Sequence, residues 1–485
     1  MGLVVGLDVG GSAVKAWVAE RGGAVVAAVN EALGTQRPTL HTAEFTPAAW
    51  WDACRRALAA AVTRADRPAE DYDGLTVSSL RQGFVLLGKR GELGKGVLNG
   101  DRRGARMLGA LRQRYGSAAI YARTGHWLAP ELTLPKLMTV ASAELSRWQR
   151  TERILFVHDW LLWRLSGALI NELSHASSGQ LTDVRARTWA SDLLTDTGIG
   201  TAKLCRLVEA GAVVGRLRTG LVTGLPEGLP VVAGGGDTHL AALGVGGLEP
   251  GVATVVAGSS TPVQLAVEAV PADPLRHPWV SAHVAPGLWA AETNAGYAGT
   301  ALNWFARLFG LTSANALAVQ AWRGESGARG VTAVVAAPEW SEEAWASRAP
   351  NTLLGFTPAH EVVDVARALV EAHAYGIRAN LDDLERASGA RLRSVRLVGG
   401  AARSSAFAQL VADVCGRTVE VPVARDAAAL GGAALVDRAL GGSGKPVDCV
   451  CDAFNPRADS RLEDGYGRFR AAHRVLLANL PEGGG

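Results

Sequence analysis

Apolar positions along this chain follow two periods. Leu3-Val-Val-Gly-Leu7, the alternating Val14, Ala16 and Val18 within 14–19, and residues 24–28 read as three successive strands. At Thr46-Pro47 the period changes: Trp50, Trp51, Cys54, Leu58, Ala61 and Val62 recur at helical spacing behind an N-cap threonine and a proline in the first helical position. A strand at 75–78 follows, so the order is β-β-β-α-β, which predicts an α/β layered architecture. The second half restarts the pattern, with strands at 253–257, 263–267 and 288–292 and a helix near 299–309. Two long helical segments, about 361–387 and 404–415, flank a strand at 394–398. The 485 residues exceed the roughly 250–300 at which single cores stop growing. Two domains are expected, 1–245 and 246–485.

Two turns of small residues interrupt the apolar runs. Asp8-Val-Gly10-Gly11-Ser12-Ala-Val-Lys15 joins the first two strands, and Gly258-Ser259-Ser260-Thr261 joins the pair at 253–257 and 263–267. Each reads as a hairpin with a glycine-rich tip, the kind of tip that presents backbone N–H groups to phosphate oxygens. Between them, Gly234-Gly235-Gly236-Asp237 ends the apolar run Leu229-Pro-Val-Val-Ala233 and precedes a helix. Asp237 is therefore a candidate base between two candidate phosphate turns, with helix capping as the competing role.

The first turn matches the first phosphate motif, Asp-x-Gly-x-x-x-x-Lys, of the actin, Hsp70 and sugar kinase superfamily, and the second turn resembles its second phosphate motif. Gly-Gly-Gly-Asp237-Thr resembles the FGGY carbohydrate kinases. Val398-Gly399-Gly400-Ala401-Ala402-Arg403-Ser404 is similar to that family's adenosine motif, and Asp426-Ala-Ala-Ala-Leu430-Gly431-Gly432-Ala433 adds to the match. The motifs occur in family order over nearly the whole chain.

This resemblance implies two ribonuclease-H-like domains of the actin-like ATPase fold around an interdomain catalytic cleft. The two phosphate turns would be corresponding positions of duplicated domains. It implies ATP and Mg²⁺, with phosphoryl transfer to a hydroxyl of a small sugar or polyol, a reaction that needs positioning and charge neutralisation more than covalent chemistry. Asp237 is then the catalytic base. Asp8 would hold Mg²⁺ through water. Gly10, Gly11, Ser12 and Lys15 would face the phosphates, joined by Gly258, Ser259 and Ser260 as the domains close. Gly399, Gly400, Ala401 and Ser404 would bind the nucleotide.

The acceptor signature of the family falls on Arg81 and Gln82. Glycerol kinases carry Arg-Glu there and xylulokinases Met-His. Arg81-Gln82-Gly-Phe-Val is most similar to the Arg-Glu-Gly-Phe-Val of autoinducer-2 kinases, with Gln82 replacing Glu. Arg81 can donate two hydrogen bonds to vicinal oxygens, and Gln82 offers both a donor and an acceptor. Asp101, in the segment similar to the family's Asp-x-Arg, and Glu131 complete the expected sugar contacts. Asp159, in His158-Asp159-Trp160-Leu161, is expected to be structural. Among 14 tryptophans, Trp17, Trp50 and Trp51 are expected in cores, and Trp127 and Trp304 are candidates for sugar stacking.

Composition narrows the alternatives. With 48% hydrophobic and 20% charged residues and no long polar tract, the chain is globular rather than disordered. A net charge of +3 with interspersed signs gives no nucleic-acid surface. Five cysteines suit reduced thiols in the cytoplasm, and Cys449-x-Cys451 lacks the further ligands of a zinc site. No run approaches the roughly eighteen apolar residues of a membrane span, and no signal peptide or myristoylation motif opens the chain. Gly83-x-x-x-x-Gly88-Lys89-Arg90 is no Walker A loop, since Arg90 replaces the required Ser or Thr and Phe84-Val-Leu-Leu87 reads as a strand. Gly442-Ser-Gly-Lys-Pro446 is a surface turn, because Pro446 forbids the helix a P-loop opens. A Rossmann dehydrogenase lacks its Gly-x-Gly-x-x-Gly spacing here. A non-catalytic, nucleotide-regulated binding protein of the superfamily is the remaining alternative, set against the polar acceptor set Arg81, Gln82 and Asp237. D-xylulose is the alternative substrate, and a homodimer is the expected assembly.

Overall fold

The computed structural model describes residues 2–335, 340–347, 351–424, 426–445 and 451–479. Cys449, Pro446 and the terminal residues 480–485 lie outside the described residues.

The run 3–9 forms the strand Leu3–Val9 at the heart of a six-stranded sheet, paired antiparallel with Ala13–Glu20 and parallel with Tyr72–Ser79. Val25–Ala32 extends the sheet on one side, and Pro230–Gly236 followed by Val213–Arg216 extends it on the other. A central strand covered on both faces has no solvent side, which is why this run is apolar without alternation. Leu3, Val5, Leu7 and Val9 pack under Trp50, Trp51, Cys54 and Leu58 of the helix Pro47–Ala65. On the opposite face, Val4 and Trp17 meet Ala429, Ala433 and Val436 of a helix from the second half, Ala427–Ala439.

A second sheet of seven strands repeats the plan. Val252–Val256 pairs antiparallel with Pro262–Val267 and parallel with Ser394–Val398, which in turn pairs parallel with Thr418–Pro422. Trp289–Asn294 occupies the place that Val25–Ala32 holds in the first sheet. The expected duplication is thus visible as topology: three antiparallel strands, then two parallel ones reached through helices. Val362–Ser388 and Ser405–Cys415 cover the second sheet and share its core through Leu369, Ile377, Phe407 and Val411. The strand read at Phe84–Leu87 is present as Phe84–Gly88, and belongs to a smaller sheet in the region inserted between Tyr72–Ser79 and Pro230–Gly236.

The helices that follow the last parallel strand of each sheet, Asp237–Gly244 and Ala427–Ala439, pack directly on each other. A Cβ on Gly244 would lie 2.0 Å from the Ala427 carbonyl oxygen, and one on Gly431 would lie 2.0 Å from that of Leu240. The two halves meet backbone to backbone at this crossing. Among the described residues no helix is long and apolar enough to cross a membrane.

Candidate active site

In both sheets the expected site residues fall at the carboxyl ends of neighbouring parallel strands, where open α/β sheets bind ligands. Asp8 lies near the end of Leu3–Val9, Arg81 two residues beyond Tyr72–Ser79, and Asp237 directly after Pro230–Gly236. The register sets Asp8 opposite Ser78, whose hydroxyl donates to the Asp8 carboxylate at 2.5 Å. Burial holds Asp8 above the ordinary aspartate range.

Asp237 opens its helix, and its Oδ1 accepts from the N–H of the next residue, Thr238, at 2.8 Å. The capping position before this helix is Gly236, so Asp237 sits inside the first turn and binds the N–H of Thr238 there. Burial pushes its pKa up to about 7, opposed by the Arg81 guanidinium and reinforced by the negative charges of Asp8 and Glu292. A carboxyl poised near neutrality suits general-base work.

Arg81 and Asp237 line one cavity of about 650 Å³ with Gln82, Asn99, Arg102, Glu131 and residues of the second half. Arg81 is fixed by a residue that no sequence motif marks: Glu292, on the strand Trp289–Asn294, accepts from Nη2 at 2.7 and 2.8 Å. Gln264 Nε2 links Glu292 to Thr238 Oγ1 at 2.6 and 3.1 Å. Nη2 of Arg81 is taken by Glu292, and Nη1 stands 3.5 Å from His239 Nε2. Gln82 adopts φ +61, and its carbonyl accepts from Thr133 Oγ1 at 3.1 Å and from the buried Lys136 Nζ at 2.8 Å. Burial lowers the Lys136 pKa to about 7.

Glu131 reaches the cavity and pairs with Arg102 Nε at 2.9 Å, while Trp345 Nε1 donates to its other oxygen at 3.1 Å. Asp101 does not reach it. Its side chain is fully buried, accepting from the N–H of Ala43 at 2.8 Å and from Arg103, which chelates it through Nε and Nη2 at 2.8 and 2.9 Å. A carboxylate so occupied holds loops together, and the expectation of a sugar contact is corrected accordingly. The expected stacking tryptophans are also replaced. Trp304 lies on the exposed side of its helix and Trp127 beneath the surface, while Trp279, Trp340 and Trp345 form the aromatic wall of the cavity. Asp159 is structural as expected, buried with its carboxylate on His158, Asn171 and the Glu172 N–H.

A second cavity, of about 580 Å³, is lined by Gly258, Ser259, Gly400, Ala401, Ser404 and Trp322. Ser404 also caps the helix Ser405–Cys415 through its Oγ. Gly399, at φ +96, turns the chain so closely onto the second turn that a Cβ would lie 2.7 Å from the Ala257 carbonyl oxygen. The tip glycines behave differently. A Cβ on Gly10, Gly11 or Gly258 would meet nothing nearer than 3.5 Å, and one on Gly400 nothing within 4 Å. The fold does not need glycine at these places, and the room at Gly258 and Gly400 opens on the second cavity. The second turn joins both cavities, with Gly258 and Ser259 on one and Ser260 on the other.

Lys15 stands opposite Asp8 in the register, and its Nζ bonds Asp426 Oδ1 of the second half at 2.7 Å. Asp8, Lys15, Gly399 and Asp426 line a third, smaller cavity of about 150 Å³. Gly10, Gly11 and Ser12 form the first tip, closed by Gly10 N–H to the Ala13 carbonyl at 3.0 Å.

Comparison with known proteins agrees with this geometry. The model of the N-terminal domain of the FGGY family of carbohydrate kinases matches residues 3–244, and that of the C-terminal domain matches residues 253–440. The chain is 28% identical over 452 residues to an autoinducer-2 kinase of Yersinia enterocolitica, covering 88% of this chain and 84% of that protein. It is 29% identical over 446 residues to a xylulose kinase of Escherichia coli, covering 89% of each. A crystal structure of xylulose kinase from Rhodospirillum rubrum superimposes with a TM-score of 0.87 at 26% identity, over 98% of this chain and 99% of that one. The two sheets, the cleft between them and these matches together make the chain a member of the FGGY family of carbohydrate kinases, an ATP-dependent sugar kinase.

Proposed function

We propose that this kinase transfers the γ-phosphoryl group of Mg-ATP to a hydroxyl of a small neutral ketose, polyol or linear sugar, with Asp237 as general base. The observation that carries this reading is the second turn. Gly258 and Ser259 line a cavity of nucleotide size, and Ser260 lines the one that holds Asp237 and Arg81, so a phosphate on this turn borders both substrates.

In this reading the acceptor lies against the aromatic wall, with one hydroxyl toward Asp237 and others on the remaining donors of Arg81, on Gln82 and on Glu131. Asp237 takes the hydroxyl proton as the bond to phosphorus forms. The tips at Gly10 to Ser12 and Gly258 to Ser260 supply N–H donors to the phosphates, and Gly399, Gly400 and Ala401 border the nucleotide. Asp8 suits Mg²⁺: it is a half-buried carboxylate lining the small cavity beside Lys15 and Asp426, and among the described residues no group of three or more metal ligands converges to make a protein cage. Mg²⁺ at such sites keeps waters and phosphate oxygens as its other ligands and neutralises phosphate charge. A domain boundary near residue 245 and a homodimer belong to the same reading. So does a cytoplasmic location, which the buried thiols Cys54, Cys205 and Cys415 suit.

The two curated relatives are named for autoinducer-2 and xylulose. Arg81-Gln82 followed by Gly-Phe-Val favours the first class of acceptor, and xylulose is the second. The test is ATP turnover with Mg²⁺ across polyols, ketoses, sugar acids and the autoinducer-2 precursor, with mass spectrometry of the product. One phosphorylated neutral acceptor is expected. Nucleotide binding without transfer to any of them would contradict the proposal and support a nucleotide-regulated binding protein.

A further inference from the structure

The strand that delivers Asp237 is irregular. It pairs with Tyr72–Ser79 at Val231 opposite Leu75 and Val232 opposite Thr76, then at Gly235 opposite Ser78 and Gly236 opposite Ser79. Two residues on one strand, Ala233 and Gly234, stand against one on the other, Val77, which is a bulge, and a bulge re-aims the side chains next to it. Gly234 sits in it so tightly that a Cβ would lie 1.9 Å from the Val77 carbonyl oxygen.

A bulge takes N–H groups off the ladder, and in a buried strand each needs another acceptor. Gly234 N–H donates to His158 Nε2 at 3.1 Å, and Gly236 N–H donates to Ser174 Oγ at 3.3 Å. Both acceptors belong to one buried network. His158 Nδ1 bonds Asp159 Oδ1 at 2.8 Å, and the same oxygen accepts from Glu172 N–H at 3.1 Å. Glu172 accepts the Ser174 hydroxyl proton at 2.6 Å and the N–H groups of Ser174 and His175. The bonds are mutually consistent. An unprotonated Nε2 on His158 leaves the proton on Nδ1 facing the carboxylate, and Ser174 donates to Glu172 while accepting from Gly236. Burial lowers the His158 pKa to about 3, so the ring remains a neutral acceptor at any working pH.

We infer that His158 and Ser174 are positioning residues that clamp the Gly234–Gly236 bulge from beneath and so fix where Asp237 points. Neither touches the cleft; they act through two backbone N–H groups on either side of Gly235. The inference rests on Asp237 being the base.

Steady-state kinetics with ATP and the preferred acceptor on His158→Ala, His158→Gln, Ser174→Ala and Asp237→Asn, each with its thermal midpoint, tests it. His158→Ala and Ser174→Ala are expected to lower kcat about 10- to 100-fold with both KM values within about threefold, since a misplaced base loses transition-state stabilisation rather than binding. His158→Gln, whose Oε1 can accept from Gly234 N–H, is expected to regain most of the loss. A folded His158→Ala or Ser174→Ala within twofold of wild-type kcat overturns the inference, as does a loss that follows the fraction unfolded and is not regained by glutamine. Should His158→Ala not fold, Ser174→Ala, which removes one oxygen, decides. A fully active Asp237→Asn would instead remove the base assignment itself, whereas an inactive Asp237→Asn beside undisturbed clamp variants would overturn the clamp alone.

Discussion

Arg81 and Glu292 stand 211 residues apart and come from different sheets, yet the guanidinium Nη2 reaches both carboxylate oxygens, at 2.7 and 2.8 Å. The pair bridges the two halves inside the cavity that holds Asp237. Removing one member leaves the other buried and uncompensated, a change that costs about 3–5 kcal/mol when solvent cannot enter and less at a cleft wall. Glu292→Ala is therefore expected to lower the thermal midpoint and raise the acceptor KM about tenfold or more, with the KM for ATP within about threefold. Equal effects on both substrates would take this pair out of the acceptor site.

The same pair tunes Asp237. Burial raises that carboxyl to about 7, Arg81 opposes the rise and Glu292 adds to it. A base must be deprotonated, so kcat should increase with pH through about 7 and level off above. Removing the Glu292 charge removes a repulsion and releases Arg81, so in Glu292→Gln the acid limb should move to lower pH. A limb that moves upward or stays in place would show that the titrating group is not Asp237.

Asp237 also bears on stability. Because its pKa is raised in the folded state, its contribution is greatest below the ordinary aspartate pKa of about 4 and is lost as pH rises through about 7. Asp237→Asn should accordingly melt higher than wild type at pH 8, by about 1–3 °C, with the difference vanishing near pH 4. Thermal melts at the two pH values check this.

Lys15 makes a half-exposed ion pair with Asp426 across the cleft. Such pairs contribute about 0–1 kcal/mol, so Lys15→Ala should leave the thermal midpoint nearly unchanged. If Lys15 serves the phosphates, the same variant raises the ATP KM. Unchanged ATP kinetics would leave it as a link between the domains only.

At the crossing of Asp237–Gly244 and Ala427–Ala439 there is no room for one methyl group. Gly431→Ala is expected to cost about 1–3 kcal/mol and to reduce activity, because the helix it displaces begins at Asp237. A variant with unchanged melting and turnover would contradict the close approach of the halves.

The small-residue tips at 10–12, 258–260 and 399–401 and the strand end before Asp237 were legible in the sequence because each depends on local backbone chemistry: small residues at a strand end mark a tip wherever the chain goes next. Arg81 and Gln82 were legible for the same reason. Glu292 was not, since a single acidic residue in Trp289–Asn294 carries no local sign that its strand faces the cleft. The tryptophans show the limit from the other side. Composition pointed to aromatic contacts, but which rings line the cavity depends on how the halves meet, and Trp279, Trp340 and Trp345 replaced Trp127 and Trp304. Asp101 was misread because a motif position gives no account of Arg103, which chelates its carboxylate. The hydrogen bonds from Gly234 and Gly236 to His158 and Ser174 were not legible either, because bonds to backbone leave no pattern in side-chain identity.

The most direct test of the account is product formation by Asp237→Asn beside wild type, with ATP, Mg²⁺ and the preferred acceptor, together with ATP affinity by calorimetry. With Asp237 as the base, phosphorylated sugar is expected to fall by a factor of about 10³ or more while ATP affinity stays within a few-fold. Sugar phosphate formed at the wild-type rate by the asparagine variant would contradict it.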